Sequence, residues 1–449
     1  MSRKLYIKTF GCQMNERDSE VIAQLLTQEG FVTTSVQEEA DLILVNTCSI
    51  REKAEQKAFS LIGSLREEKK KNPSLVVGVI GCVAQQEGEH LRSRMPHVDL
   101  IVGTQQIYRL PAMLDRLLSG MTQKEIATNM ESSFSIPPFQ KLLVNNEKTA
   151  ITPGFKQFVT IMQGCDNFCS YCVVPTTRGR EISRSVRDIL EEVELLVEQG
   201  VREITLLGQN VNSYGATNTV DPRPVSFPQL LRKVSAVQGL QRLRFTTSHP
   251  KDLSEELMQC FAELENLCPH FHLPVQSGSD KILQRMNRKY TVESYLQKVA
   301  KLRQYRPDIA LATDVIVGFP GETDVDFAAT MRLLQEVRFH GSFSFKYSDR
   351  PHTRSTSFTD KVPEEIKSKR LATFQKEQNK ISLQRNREYL EKTVEIMIES
   401  ILDGEIKGRT ATNHMVHAAG NVDSLLPGDL ALVIIEHAGN HSLKGRLSE

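Results

Sequence analysis

The sequence predicts an α/β protein in three parts: an N-terminal doubly wound α/β domain, a central full or incomplete α/β barrel, and a small C-terminal antiparallel β-barrel. Three observations carry this reading. Short apolar runs alternate with amphipathic stretches over residues 1–120, the same alternation resumes on a larger scale over 151–383, and short strand patterns with tight turns fill 384–449. A chain of 449 residues also exceeds what one core accommodates, so two or three domains are expected.

In the first part, strands are expected at 5–10, 41–46, 75–80 and 98–102, apolar runs of the kind buried on both faces of a parallel sheet. Helical patterns at 16–29 and 51–70 supply connections. Residues 121–150, with Pro137-Pro138 and Asn145-Asn146, show no periodicity and read as a linker. In the second part, strands are expected at 157–163, 203–207, 242–246, 270–275, 310–317 and 342–347, with a surface loop at 215–226. Such β-α units gather their chemistry at the C-terminal ends of the strands. The third part carries strand patterns at 394–399, 406–411, 414–418, 430–435 and 442–447, with turns at Asp403-Gly404 and Pro427-Gly428-Asp429. Small barrels of this type bind nucleic acids.

Composition, 39% hydrophobic and 25% charged, is that of a soluble globular protein. No apolar run reaches the roughly 18 residues of a membrane span, so no membrane partner is expected. The N-terminus enters a strand pattern directly, without an apolar signal region, which points to the cytoplasm. There, clustered thiols bind metal or act in catalysis more often than they form disulfides. Net charge is only +1, which excludes a global field toward nucleic acid. Residues 361–387, however, carry eight basic side chains against three acidic ones, on a helix that is either a phosphate-facing surface or a solvated face.

The most informative motif is Cys165-x-x-x-Cys169-x-x-Cys172, directly after the first strand of the central part. Three close thiolates fall one short of the usual four around an iron–sulfur cluster or structural zinc, and zinc motifs normally pair their cysteines. A 4Fe–4S cluster held here keeps one iron open for a small chelating molecule, so the spacing points to catalysis. A second constellation is Cys12, Cys48 and Cys82. Each follows an apolar strand, at intervals of about one β-α unit, so all three fall on the ligand-binding edge of a parallel sheet. Singly, each reads as a buried core cysteine; at equivalent positions, they point to a second cluster. Cys260 and Cys268 are expected to be inert core, despite the nearby His270 and His272.

Gly208, Gln209 and Asn210 end a barrel strand with a glycine and amides, a combination suited either to a zwitterion such as a methionine moiety or to a plain turn. Gln276 and Asp314 occupy similar polar or glycine-rich strand ends. No phosphate-binding glycine loop of the P-loop type is present.

With these motifs assembled, the chain resembles the radical S-adenosylmethionine (SAM) methylthiotransferase family over nearly its whole length. Thr9 to Asn15, Asn46 to Ala54 and Gly81 to Gln86 are similar to the family's N-terminal signatures; Gly164 to Cys172, Arg178 to Arg184 and Gly208 to Tyr214 match its core. Gly408-Arg409-Thr410 resembles the start of its RNA-binding TRAM domain. The resemblance implies a methylthiotransferase domain at 1–120, a radical SAM core at 151–383 and a TRAM domain at 384–449. It further implies two 4Fe–4S clusters. One, on Cys165, Cys169 and Cys172, chelates SAM through its open iron and cleaves it to a 5′-deoxyadenosyl radical; Gly208, Gln209, Asn210, Gln276 and Asp314 are the SAM contacts expected. The auxiliary cluster, on Cys12, Cys48 and Cys82, carries the sulfur to be inserted, and a second SAM supplies the methyl group. The implied product is the 2-methylthio derivative of N6-isopentenyladenosine at position 37, beside the anticodon of tRNA. Sister enzymes act on threonylcarbamoyl-adenosine in tRNA or on an aspartate of a ribosomal protein; the Asn15 to Ser19 and Asn46 to Ala54 segments favour the isopentenyl type. A cytoplasmic monomer is expected, with electron and sulfur donors that leave no signature in the chain. His352, Thr176 and His414 depart from the family pattern, at positions usually glycine, aromatic and basic.

Overall fold

The computed structural model describes residues 2–49, 52–131, 134–142, 154–216 and 224–448. The first domain runs β1 (Arg3–Thr9), α1 (Gln13–Gln28), β2 (Phe31–Thr33), β3 (Leu42–Thr47), α2 (Glu52–Lys71), β4 (Val76–Gly81), α3 (Cys82–Arg94), β5 (Leu100–Val102), α4 (Leu110–Leu118) and β6 (Glu125–Ala127). Its strands form one parallel sheet in the order β2-β1-β3-β4-β5-β6. Every residue of β3 and β4 is buried. Their side chains alternate between two cores: Leu42, Leu44, Val76 and Ile80 on one face, Ile43, Val45, Val77 and Val79 on the other. Each fully buried side chain of this size stabilises the fold by about 1.5–3 kcal/mol. The strand order reverses between β1 and β3, the crevice where open α/β sheets take their ligands.

Two strands fall outside the expectation. β2 and β6 have three residues each and close the two edges of the sheet, too short to leave a period-2 signal. β6 lies within the stretch read as linker, and Phe139 packs into the first core, so part of that connection belongs to the domain. Asn145-Asn146, residues 217–223 of the surface loop, and Ile50 and Arg51 lie outside the described residues.

The central domain contains β7 (Lys156–Thr160), β8 (Met162–Gln163), α5 (Val174–Thr177), β9 (Ile182–Ser183), α6 (Val186–Glu198), β10 (Glu203–Leu207), α7 (Phe227–Ser235), β11 (Arg242–Phe245), α8 (Glu255–Glu263), β12 (His270–His272), α9 (Asp280–Arg285), α10 (Val292–Tyr305), β13 (Ala310–Val317), α11 (Asp324–Val337) and β14 (Gly341–Lys346). Parallel sheets β11-β10-β7 and β12-β13-β14 are joined by the parallel bridge Leu243–Leu267. Six strands therefore follow one another in chain order around an incomplete barrel. Hydroxyl caps start its helices: Ser226, Thr291 and Thr323 each form a reciprocal capping box. The strand expected at 157–163 breaks after Thr160, because Met162–Gln163 turns to pair antiparallel with β9. The strand expected at 270–275 stops at His272, shortly before Pro274, which has no ladder donor.

A 24-residue helix, α12 (Glu364–Arg387), leads out of the core. β15 (Thr393–Leu402), β16 (Glu405–Thr410), β17 (Met415–Ala419), β18 (Leu430–Ala438) and β19 (Ser442–Leu447) close into a barrel in the order β15-β16-β17-β19-β18. Asp403 and Gly404 both take positive φ, 52° and 76°, as a two-residue hairpin of type I′ requires. This barrel docks on the first residues of β11: Arg242 donates to the Arg409 carbonyl (2.7 Å), and Arg244 to those of Thr410 (2.9 Å) and Ala411 (3.0 Å). It therefore sits at the strand-start end of the central domain, opposite the end where β7 leads into its cysteines.

Candidate active site

The Cys165–Cys172 loop follows β7 and β8. Gly164 opens it at φ 81°, and a Cβ there would lie 2.0 Å from the Arg180 carbonyl oxygen, so glycine alone fits. The Cys165 amide donates to Gly179 (3.2 Å) and that of Cys172 to Cys169 (3.0 Å), folding the loop back on itself. Ser170 ties it to the end of α9 through its amide on Met286 (3.0 Å) and its hydroxyl on Arg285 (2.9 Å). Asp166 pairs with Arg180 at 2.8 Å and accepts the Glu181 amide at 3.3 Å. Burial pushes the Cys165 thiol up to about 11 and that of Cys172 up to about 12, so a metal must displace protons to bind there. One fixed cation favours that exchange. Arg288 is buried with Nη1 3.4 Å from Cys169 Sγ, and is held by the Pro274 carbonyl (2.9 Å) and Tyr290 (3.0 Å).

In the first domain the three cysteines stand where strands meet helix N-termini. Cys12 is the N-cap of α1, following β1; Cys48 follows β3; Cys82 is the first residue of α3. Cys12 and Cys48 thus flank the crevice between β1 and β3. The glycines explain the convergence. A Cβ on Gly11 would lie 2.5 Å from Cys48 Cβ, and one on Gly81 2.5 Å from Asn46 Oδ1, so bare backbone lets the strand ends close. Asn15 laces them, donating to Asn46 Oδ1 (2.8 Å) and the Thr47 carbonyl (2.9 Å). A hydrogen bond from Cys48 pulls the Cys12 thiol down to about 6 against its burial, with further help from Arg178 and the first amides of α1. Burial raises Cys82, and the Arg178 guanidinium opposes that rise.

Among the described residues, no three His, Cys, Asp or Glu side chains converge on a point where one metal ion would sit. A 4Fe–4S cluster asks something different: each thiolate takes its own iron, so the sulfurs stand apart around a cube. Soft thiol donors in threes, each beside a buried guanidinium, fit an anionic cluster at both places.

The residues expected to hold SAM fall into two groups. Gln209 reaches the cysteine loop, its Oε1 accepting the Gly164 amide at 2.5 Å. Gly208 gives the close approach, since a Cβ would meet Met162 Cγ at 2.4 Å. Asn210 turns to Asp252 (2.8 Å), leaving its buried Oδ1 without a partner. Gln276, at φ 69°, donates its amide to the Asp314 carbonyl (2.8 Å), and Asp314 Oδ1 pairs with His272 Nε2 (2.9 Å). No hydrogen bond among the described residues links Gln276 or Asp314 to the cysteine loop. Cys260 and Cys268 are buried core, as expected.

Sequence reasoning gave no role to Arg288, Asp18 or Glu192, because each acts through a partner more than a hundred residues away. Glu181 was visible only as part of a motif; it accepts the Ser213 hydroxyl at 2.7 Å, coupling the loop after the triad to the segment after Asn210. The three departures have local explanations. His352 sits at φ 63°, where glycine is at ease; Thr176 folds its hydroxyl onto the Val173 carbonyl (2.8 Å); His414 is packed between Tyr389 and His340 and is not a free surface cation.

Comparison with known proteins agrees with this architecture. Residues 4–103 match Uncharacterized protein family UPF0004, and residues 159–334 match the Radical SAM superfamily. The solved structure of the radical S-adenosylmethionine methyltransferase TsrM from Kitasatospora setae, with cobalamin and a 4Fe-4S cluster bound, superposes with a TM-score of 0.55 at 17% identity, covering 79% of this chain and 77% of that one. The cobalamin-dependent S-adenosylmethionine radical enzyme OxsB gives 0.53 at 13% identity, covering 83% and 56%. At such identities the likeness is one of fold. The chain is 57% identical to the tRNA-2-methylthio-N(6)-dimethylallyladenosine synthase of Desulfotalea psychrophila, covering 100% of this chain and 99% of that protein. It is 48% identical to that of Syntrophobacter fumaroxidans, covering 99% and 96%. The chain therefore belongs to the tRNA-2-methylthio-N(6)-dimethylallyladenosine synthase family, built on a radical SAM core.

Proposed function

We propose that this enzyme methylthiolates carbon 2 of N6-isopentenyladenosine at position 37 of tRNA, in the anticodon loop, using two 4Fe–4S clusters and SAM. The observation that carries the reading is the pair of cysteine triads, one at the strand ends of each α/β domain, in a chain that matches relatives of that name from end to end. Cys165, Cys169 and Cys172 would hold the cluster that binds and reductively cleaves SAM; Cys12, Cys48 and Cys82 would hold the cluster that supplies sulfur. An aromatic C–H has no acidic proton for a base to remove, so radical chemistry belongs to the cofactor and the protein's work is placement.

The chain's own residues support that division. Arg288 offsets the negative charge that three thiolates bring into a buried loop, and Gln209 fixes the loop's entry by accepting the Gly164 amide. Gly208 lets Met162, which leads into the cysteine loop, pack against the end of β10. Gln276, beyond the end of β12, and Asp314, within β13, offer an amide and a carboxylate side by side, suited to the amino and hydroxyl groups of SAM. Phe343 and Phe345 on β14 pair with Asp314 and Ile316 and are 53% and 39% exposed, with the Phe343 ring edge-on to His272 at 6.1 Å. They suit a purine turned out of its stack, which RNA enzymes hold by stacking and edge contacts.

The test is mass analysis of nucleosides from tRNA bearing isopentenyladenosine, incubated anaerobically with reconstituted protein, SAM, reductant and sulfide. Appearance of its 2-methylthio derivative supports the reading. Modification of threonylcarbamoyl-adenosine instead would move the enzyme to the sister class.

A further inference from the structure

Arg178 belongs to the central domain, six residues beyond Cys172, yet its side chain serves the first domain. It is 3% exposed. Nη2 donates to Asp18 Oδ2 at 2.7 Å, while Nη1, equally buried, has no hydrogen-bond partner. α5, which ends one residue before Arg178, packs on α3, whose first residue is Cys82. Thr104 locks this junction by donating its hydroxyl to the Thr177 carbonyl, and Gly179 lies so close to Gln105 that a Cβ would meet its Nε2 at 2.7 Å. The guanidinium faces both Cys82 and Cys12. A buried donor left unpaired keeps its full desolvation penalty. Besides Asp18, the groups that act on this guanidinium are the Cys82 and Cys12 thiols.

We propose that Arg178 is a positioning residue of the central domain that donates its unpaired Nη1–H into the sulfur shell of the cluster held by Cys12, Cys48 and Cys82, and thereby sets that cluster's reduction potential. This rests on the two-cluster reading above. The physical ground is charge. A 4Fe–4S core with three thiolates is anionic, and one-electron reduction adds a further negative charge beside the buried Cys48 and Cys82. A fixed cation at hydrogen-bond range stabilises the reduced form more than the oxidised one, and hydrogen bonds to cluster sulfurs act in the same direction. Asp18 works against it, being the negative group on the other side of the same guanidinium. The domain that generates the radical would thus tune the sulfur-bearing cluster of its neighbour.

The experiment uses the full chain carrying Cys165→Ala, Cys169→Ala and Cys172→Ala, reconstituted anaerobically with iron and sulfide so that only the N-terminal cluster forms. Iron is counted, and the midpoint potential is read by electron paramagnetic resonance during a redox titration. In this background, Arg178→Gln should move the midpoint to a more negative value, Arg178→Lys should restore part of the shift, and Asp18→Asn should move it to a more positive one. A bound cluster with an unchanged midpoint in Arg178→Gln overturns the proposal. So does loss of iron and of native circular dichroism in Arg178→Gln and Arg178→Lys alike, which would make the residue structural only. Failure of the triple-alanine parent to bind iron would instead strike the assignment of the N-terminal thiols.

Discussion

Arg17 and Glu192 form a buried salt bridge between α1 of the first domain and α6 of the central one. Glu192 is fully buried and shares its second oxygen with Arg184 at 2.6 Å, while Arg184 also holds Asp188. Cys12 is the N-cap of α1, so this junction fixes the helix that starts at one of the three N-terminal thiols.

Breaking one partner of such a network leaves uncompensated charge inside the protein. Glu192→Gln should lower stability by about 3–5 kcal/mol, read by chemical denaturation. A loss under about 1 kcal/mol would put the bridge in the class of surface pairs.

The docking of the C-terminal barrel should weaken in acid. His414 packs against Tyr389 (4.7 Å) and His340 (5.6 Å), and Arg303, Arg338 and Arg385 lie around His340. Burial lowers His340 to about 3 and His414 to about 4, from an ordinary 6.5. Between those values and 6.5 the unfolded chain takes up protons that the folded one refuses. The stabilisation is therefore present above pH 6.5 and lost as pH falls toward 4. Thermal melting should drop from pH 7.5 to 5, and His414→Gln should flatten that slope.

His352 adopts the left-handed conformation at φ 63°. His352→Gly removes that strain but adds freedom to the unfolded chain, leaving a net gain of roughly 0.5 kcal/mol by thermal denaturation. A measurable loss would mean that the imidazole makes a contact worth more than the strain.

The basic helix is narrower than its composition. Arg370 is spent on Glu322 and Asp324, Lys361 on Asp349, Lys367 on Glu364 and the Tyr347 carbonyl, and Arg385 on the Arg338 carbonyl. Lys369, Lys376 and Arg387 remain exposed and carry no ion pair among the described residues. Replacing these three by Gln should weaken tRNA binding and lower the slope of log affinity against log salt by about 2–3. An unchanged slope would remove this helix from the RNA surface.

Sequence patterns carried what depends on local order. Apolar runs located the long strands because burial on both faces leaves a continuous signal, and the recurrence of cysteines after strands located both triads. The three-residue edges β2 and β6 were silent because so short a run has no period. The supporting charges were silent for another reason. Arg178 meets Asp18 across 160 residues and Arg288 meets Cys169 across 119, so only the fold brings them together. The count of basic residues over 361–387 left open whether they face RNA or only solvent, since charge on a helix says nothing of which side chains the core consumes.

The central claim is the division of labour between the two triads, and Cys12→Ala tests it most directly. After anaerobic reconstitution, this variant should still cleave SAM to 5′-deoxyadenosine while nucleoside mass analysis finds no 2-methylthio product on isopentenylated tRNA; Cys165→Ala should lose both. Methylthiolated adenosine from Cys12→Ala, at levels near those of the unaltered enzyme, would contradict the account.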